Sequence, residues 1–380
     1  MRMSHIDWCP TIPNHWEEKR IKDIAFLQSG NSITPMDIAE EGEYPVYGGN
    51  GLRGYTNRYT NEGNYVLIGR QGALCGNINY AHGKFYATEH AVVVYAQKDE
   101  ITLWLGETLR AANLNRLSMT AAQPGLAVSS LNLQFIPYPP REERMRIAAY
   151  LDTKLSEIDA QVSLLTHKRD AYLRLKKSII NRAVTKGLNS DAKMKNSGID
   201  WIGEVPETWE VVHMKRVLSF NNGKDYKSIE VEDGYPVIGS GGQFAFASEY
   251  LYNGEAILFG RKGTIDRPMY INGSFWTVDT MFYAVPLNNI LGRYMFYQAL
   301  TIPLNKYSTQ TALPSMTQTS LQNILICLPP LSEQRAIATY LDDKCGKIDT
   351  IVANLEKQIS KYGDLKRSLI DEVITGKRAV

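Results

Sequence analysis

LPPLSEQRAIATYLD stands at residues 328–342, and YPPREERMRIAAYLD at residues 138–152, 190 positions earlier. Each opens on a Pro-Pro pair and then runs for some 45 residues with no proline and almost no glycine. Proline is tolerated at the start of a helix and not inside one, because it lacks the N–H and its ring meets the preceding turn. A proline stop before a long proline-free run therefore predicts a helix.

The apolar spacing within these runs is sharper than their composition. Leu151, Leu155, Ile158, Val162, Leu165, Arg169, Tyr172, Lys176, Ile179 and Ala183 step by four and three in alternation, as do Leu341, Cys345, Ile348, Val352, Leu355, Ile359, Tyr362, Lys366, Leu369 and Val373. A seven-residue apolar repeat of this length describes a coiled-coil seam, with Arg169, Lys176 and Lys366 as polar interruptions. A helix of about 40 residues is roughly 60 Å long. Only the short polar stretch GLNSDAKMKNSG (187–198) joins the end of the first helix to the second globular part, so the second helix is expected to run back antiparallel to the first.

The whole chain is duplicated. IDWCPTIPNHWE (6–17) is answered by IDWIGEVPETWE (199–210), YPVYGG (44–49) by YPVIGS (235–240), and IGRQG (68–72) by FGRKG (259–263), with offsets drifting from 193 to 191. A period near 190 residues excludes a solenoid of short repeats. The front part of each half is rich in Gly, Tyr and Asn, with short β-type runs (NYVLIG, HAVVVYA, EAILFG, TMFYAV) and short helical stretches at 103–114 and 291–300. The expected fold class is α+β: two globular domains joined by two long antiparallel helices forming a coiled coil, with pseudo-twofold internal symmetry. The expected divisions are 1–140 for the first globular domain, 141–187 for the first helix, 188–198 for a linker, 199–330 for the second globular domain and 331–380 for the second helix. Trp8, Trp16, Trp201 and Trp209 are expected to anchor the cores, since tryptophan is highly buried on average.

Composition adds exclusions. The chain has 380 residues, 44% hydrophobic and 22% charged. It offers no run of about 18 apolar residues, and the polar start MRMSHIDW lacks the apolar core of a secretory signal, so a cytoplasmic location is expected. Cys9, Cys75, Cys327 and Cys345 share no close spacing, which argues against a disulfide framework or a zinc site. His5, His15, His82, His90, His167 and His213 include no pair at ligand spacing. Gly49, Gly51 and Gly54 form G-x-G-x-x-G, but YTNRYTNEGNY comes next with no helical face and the second copy lacks the third glycine, so a dinucleotide site is not expected. No Walker loop and no N-P-P-[FY] or D-P-P-[FY] tetrapeptide is present. No catalytic residue, metal ligand or cofactor is assigned to this chain.

Two P-x-x-W openings, two YPV phrases, two G-R-x-G turns and two P-P-x-x-E-Q-like closings in one order resemble the specificity subunit of type I restriction–modification systems. The resemblance covers essentially all 380 residues; it departs at Arg144, where the pattern has glutamine, which is expected to alter a surface contact. It implies a non-catalytic reader of double-stranded DNA. Each globular part would be a target recognition domain for one half of a bipartite, asymmetric sequence. The helices would set the spacing and dock two adenine-N6 methyltransferase subunits, with motor-nuclease subunits added in the full complex; S-adenosylmethionine, ATP and Mg are expected in those partners.

Arg and Lys suit guanine, and Asn and Gln suit adenine. The candidate DNA-binding residues in the first half are Arg53, Arg58, Arg70, Gln71, Asn77, Asn79, Lys84 and Gln123. In the second half they are Lys224, Lys227, Gln243, Arg261, Lys262, Arg267, Lys306 and Gln310. Arg70 and Arg261 occupy equivalent places, so a role in the fold or on a phosphate is as open to them as base choice. Net charge is −2 for 1–140, +5 for 141–187, −2 for 188–330 and +1 for 331–380. Neither globular part is basic overall, so the basic groups must cluster if this chain is to meet phosphates. The alternative reading is a coiled-coil protein-binding adaptor, which would show no DNA sequence preference; an unrecognised nuclease would cut DNA without partners in divalent metal.

Overall fold

The computed structural model describes residues 1–72, 74–97, 100–118, 125–309 and 314–380. The chain divides into two compact units. One is Met1–Leu165 with Lys357–Val380, the other Thr166–Glu356.

Two helices, Arg141–Lys186 and Leu331–Ile374, come directly after the Pro-Pro pairs. Each helix contributes to both units, so each unit holds the start of one and the end of the other. In the first unit Ile147, Leu151, Leu155 and Ile158 share a buried cluster with Leu369, Ile370, Val373 and Ile374. In the second, Ile180, Ala183 and Val184 share one with Ile337, Leu341 and Cys345. Early residues of one helix meet late residues of the other, so the pairing within each unit is antiparallel.

Along the seam, Leu151, Leu155, Ile158, Leu341, Cys345, Ile348, Val352, Leu355, Leu369 and Val373 are buried, while Val162, Leu165, Tyr172, Ile179, Ile359 and Tyr362 are half-buried. Ile180, Val184, Ile370 and Ile374 lie outside the seven-residue spacing and are buried too. They belong to the ends of the helices that pack on the globular part of their unit.

The first unit's main sheet has the strand order Ala25–Ser29, Ala91–Ala96, Asn61–Gly69, Ile78–Ala87, Tyr44–Gly48, Gly51–Thr56. The second repeats it as Leu218–Asn222, Met281–Pro286, Tyr252–Gly260, Met269–Thr277, Tyr235–Gly239, Gly242–Ala247, with Glu230–Val231 added at the edge. Pairing is antiparallel except where Val46 meets Tyr86 and Val237 meets Trp276. Alternate side chains on a strand face opposite ways. Accordingly Val66, Ile68, Val92 and Val94 enter the main core with the helices, whereas Leu67 and Val93 enter a smaller cluster with Ala81 and Phe85. In the second unit Ile257 and Phe259 divide from Ala256 and Leu258 in the same way.

The P-x-x-W phrase joins each globular part to a helix end. Trp16 and Trp209 are buried, and Trp8 and Trp201 are half-buried against the same cores. Gly187 and Gly376, just beyond the two helix ends, both adopt φ +71. A Cβ at Gly187 would stand 3.3 Å from Trp209 Cζ2, and one at Gly376 would stand 2.4 Å from Pro13 Cγ and 3.1 Å from Trp16 Cη2. Positive φ and the ring face both demand glycine there.

Two expectations change. The stretch 188–198, expected as a linker, contains the strand Met194–Asn196 paired with Glu204–Pro206. This repeats the pairing of Arg2–Ile6 with Cys9–Ile12, so the second copy of the repeat starts near 194. Arg144 is also no surface residue. Its side chain is 4% exposed, with Nη1 donating to Pro139 O at 3.0 Å, Nε 3.6 Å from Glu100 Oε2, and the guanidinium 4.0 Å from the centre of the Tyr138 ring. In the second unit the equivalent Gln334 donates to Pro329 O and accepts from Leu291 N, and the equivalents of Glu100 and Tyr138 are Ile290 and Leu328.

Candidate nucleic-acid interface

The Gly-rich phrases meet at one end of each sheet. In the first unit Gly48 pairs with Gly51 across a tight hairpin. Gly49, Gly51 and Gly54 therefore belong to a strand–turn–strand unit, which has no helix to receive a pyrophosphate. Arg70 N donates to His90 O at 2.8 Å, Leu126 N donates to Arg70 O at 2.9 Å, and Thr88 N donates to Tyr47 O at 2.9 Å. The turn at 88–91 thus ties the hairpin and the G-R-x-G turn together. Asn77 Nδ2 adds a bond to Asn50 Oδ1 at 3.2 Å.

The second unit copies these ties. Arg261 N donates to Thr280 O at 2.8 Å, Met316 N to Arg261 O at 2.9 Å, and Val278 N to Ile238 O at 3.3 Å. Lys224 N reaches the same turn through Thr277 O at 2.9 Å. In both units the main chain at the arginine anchors the loop, through bonds that do not depend on the side chain. Their side chains stay on the surface: Arg70 is half-buried, and Arg261 is exposed with Nη1 3.4 Å from Asp279 O.

The candidates do not all share this place. Arg53, Arg70, Gln71 and Asn77 gather around the first hairpin, with Gln71 bridging to Gly125. Asn79 lies beneath the hairpin, its Oδ1 3.0 Å from where a Cβ on Gly51 would stand and its Nδ2 buried without a hydrogen-bond partner. Lys84 and Arg58 are elsewhere. Lys84 pairs with Glu62 at the opposite end of the strand pair and lies over the Tyr59 ring, while Arg58 is 3.5 Å from Asp37 and lies over Tyr86.

In the second unit Gln243 is exposed on the hairpin, and Lys262 bridges to Ser315. Arg267 is exposed within the loop 261–268, Lys227 is exposed at 227–229, and Lys306 is exposed at 304–307. Gln123 and Gln310 lie outside the described residues. Residue type alone passes over Asn50, Leu52 and Phe244; the last two are 53% and 56% exposed on the hairpins. An apolar residue within a β-type run reads as core, and only its place beside a Gly-Gly turn hints otherwise.

Among the described residues no group of three or more His, Cys, Asp or Glu converges as a metal site would. Nor does any described helix have the length and apolarity to cross a membrane. What the loops offer is a set of cations, amides and apolar tips on a fixed frame, repeated once with different side chains. That is the surface of a recognition protein.

A family model, the type I restriction modification DNA specificity domain, matches residues 13–166 and again 206–361. The chain belongs to this family and carries its domain twice. It is 38% identical over 168 residues to the type I restriction enzyme EcoprrI specificity subunit of Escherichia coli, a match that spans 43% of this chain and 42% of that protein. It is 25% identical over 416 residues to the MjaVIII specificity subunit of Methanocaldococcus jannaschii, covering 96% of this chain and 93% of that one. A solved structure described as concerning complex assembly and conformational transition of the type I R-M system shares the fold, with a TM-score of 0.68 at 15% identity over 97% of this chain and 100% of that one.

Proposed function

We propose that this chain is the non-catalytic DNA reader of a type I restriction–modification enzyme, each globular part reading one half of a bipartite, asymmetric target. One observation carries this reading: the same backbone frame of hairpin, G-R-x-G turn and intervening turn occurs twice, and the side chains it displays differ. Equal frames with unequal tips are what two unlike half-sites require.

The two long helices set the distance between half-sites and dock two adenine-N6 methyltransferase subunits, with motor-nuclease subunits joining for restriction. S-adenosylmethionine, ATP and Mg belong to the partners in this scheme, and the methyltransferases supply part of the phosphate contact that two globular parts of negative net charge lack.

Selection of binding duplexes from a random pool by the complex with its methyltransferase subunit, at two salt concentrations, tests the reading. Enrichment of one gapped sequence, with affinity falling as salt rises, is expected. A complex that enriches no sequence would be an adaptor.

A further inference from the structure

The two hairpins share one backbone and differ at one tip. Gly48 pairs with Gly51 and Gly239 with Gly242, and both hairpins carry a register shift at the same point, between Val46 and Tyr47 and between Val237 and Ile238. In each, the first glycine leaves a floor that the side chain five residues later crosses. A Cβ at Gly48 would stand 2.4 Å from Arg53 Cδ, and a Cβ at Gly239 would stand 3.1 Å from Phe244 Cε1. Arg53 and Phe244, 191 positions apart, therefore fill one slot.

Neither side chain serves the fold. Phe244 belongs to none of the buried clusters of its unit, and its one ring contact among the described residues is an edge-on Tyr226 at 5.3 Å. Leaving a phenyl ring 56% exposed forgoes the burial that usually holds an aromatic residue. Tyr226 is flanked in the sequence by the exposed Lys224, Asp225 and Lys227. Arg53 is exposed, and its guanidinium has no acid partner among the described residues.

We propose that this slot is a specificity-determining position in each half-site. In the first unit the Arg53 guanidinium pairs with O6 and N7 of a guanine; in the second the Phe244 ring packs on the 5-methyl group of a thymine in the major groove. These are the contacts that an arginine fork and an apolar side chain make with base edges. The proposal rests on the reading of both units as DNA readers, and the exposed Lys224 and Lys227, in the stretch that carries Tyr226, are of the kind that meets phosphates.

The test uses the complex with the methyltransferase subunit and duplexes carrying its selected target. Phe244→Ala is expected to lose preference at one thymine of one half-site by about tenfold, the scale of a good base contact. Deoxyuridine at that thymine, which removes only the methyl group, should weaken the unaltered complex to a similar degree and leave the variant unchanged. In the other half-site, 7-deazaguanine should likewise weaken the unaltered complex and not Arg53→Ala. Phe244→Arg should turn the thymine preference toward guanine.

Unchanged preference in both alanine variants would overturn the slot, as would an equal loss on every sequence. An unaltered complex with no sequence preference would instead overturn the reading on which the slot rests. Both side chains are exposed, so unchanged thermal unfolding of the variants separates loss of contact from loss of fold.

Discussion

Lys366 and Asp159, 207 residues apart, form an ion pair with Nζ 2.7 Å from Oδ1. The repeat gives the pair a twin in the other unit: Lys176 Nζ is 2.6 Å from Asp349 Oδ1, and each of its members lies 190 positions from its counterpart. The lysines that interrupt the apolar seam are thus its register pins. Each reaches across the antiparallel pair to an aspartate of the other helix.

Because both aspartates are more than half exposed, either pair is worth only about 0.2–1 kcal/mol. Lys366→Ala should lower stability by no more than that. Lys366→Asp should cost more through like-charge repulsion, and Asp159→Lys combined with Lys366→Asp should restore most of the loss, read by urea denaturation. A double variant no better than its singles would remove the pair from the account.

Arg144 makes a sharper prediction. Its partner Glu100 is as buried as it is, so Arg144→Gln leaves a carboxylate without its cation and should cost about 3–5 kcal/mol. The second unit holds Ile290, Leu328 and Gln334 at the three equivalent places. Glu100→Ile, Tyr138→Leu and Arg144→Gln made together should therefore recover most of that loss. If the triple variant unfolds as easily as the single, the two units do not exchange these groups as a set.

Trp209 and Trp16 close the units on Gly187 and Gly376. Trp209→Ala opens a cavity in a fully buried site and should destabilise by about 3–5 kcal/mol. Gly376→Val should also destabilise, because valine fits neither the positive φ nor the gap to Pro13 and Trp16. A valine variant with unaltered melting would contradict the docking of the chain's end on its beginning.

All four cysteines are buried and free. Burial pushes the Cys9 and Cys327 thiols up to about 11, so at pH 8 thiolate is scarce as well as shielded. Iodoacetamide should leave the native chain unmodified at both over the time in which the urea-unfolded chain takes up label at all four. Rapid labelling of either in the native chain, by intact mass, would contradict their placement.

The repeat, the helices and their antiparallel course were legible because they are matters of spacing. The helix ends were less so. A seven-residue pattern identifies the stripe facing another helix, but Ile180, Val184, Ile370 and Ile374 are buried by a globular part that periodicity does not locate. Nor did local patterns reveal the parallel contact of Val46 with Tyr86, which joins strands distant in sequence. Arg144 read as a surface residue because charge alone gives no sign of a buried acid 44 positions away.

Of the residues singled out by type, Arg53, Arg70 and Gln71 lie around the first hairpin, whereas strand register carries Lys84 to the opposite end of its strand pair and Arg58 stands beside Asp37. Residue type passed over Phe244, which stands out only when the two hairpins are compared.

If this chain is the DNA reader, it alone chooses the sequence. The most direct measurement is to co-express it with the methyltransferase subunit from the same source and map N6-methyladenine across the host genome with and without it. Methylation at one gapped, asymmetric sequence that disappears when this chain is omitted is expected. The same methylation without the chain, or none despite a soluble complex, would contradict that reading.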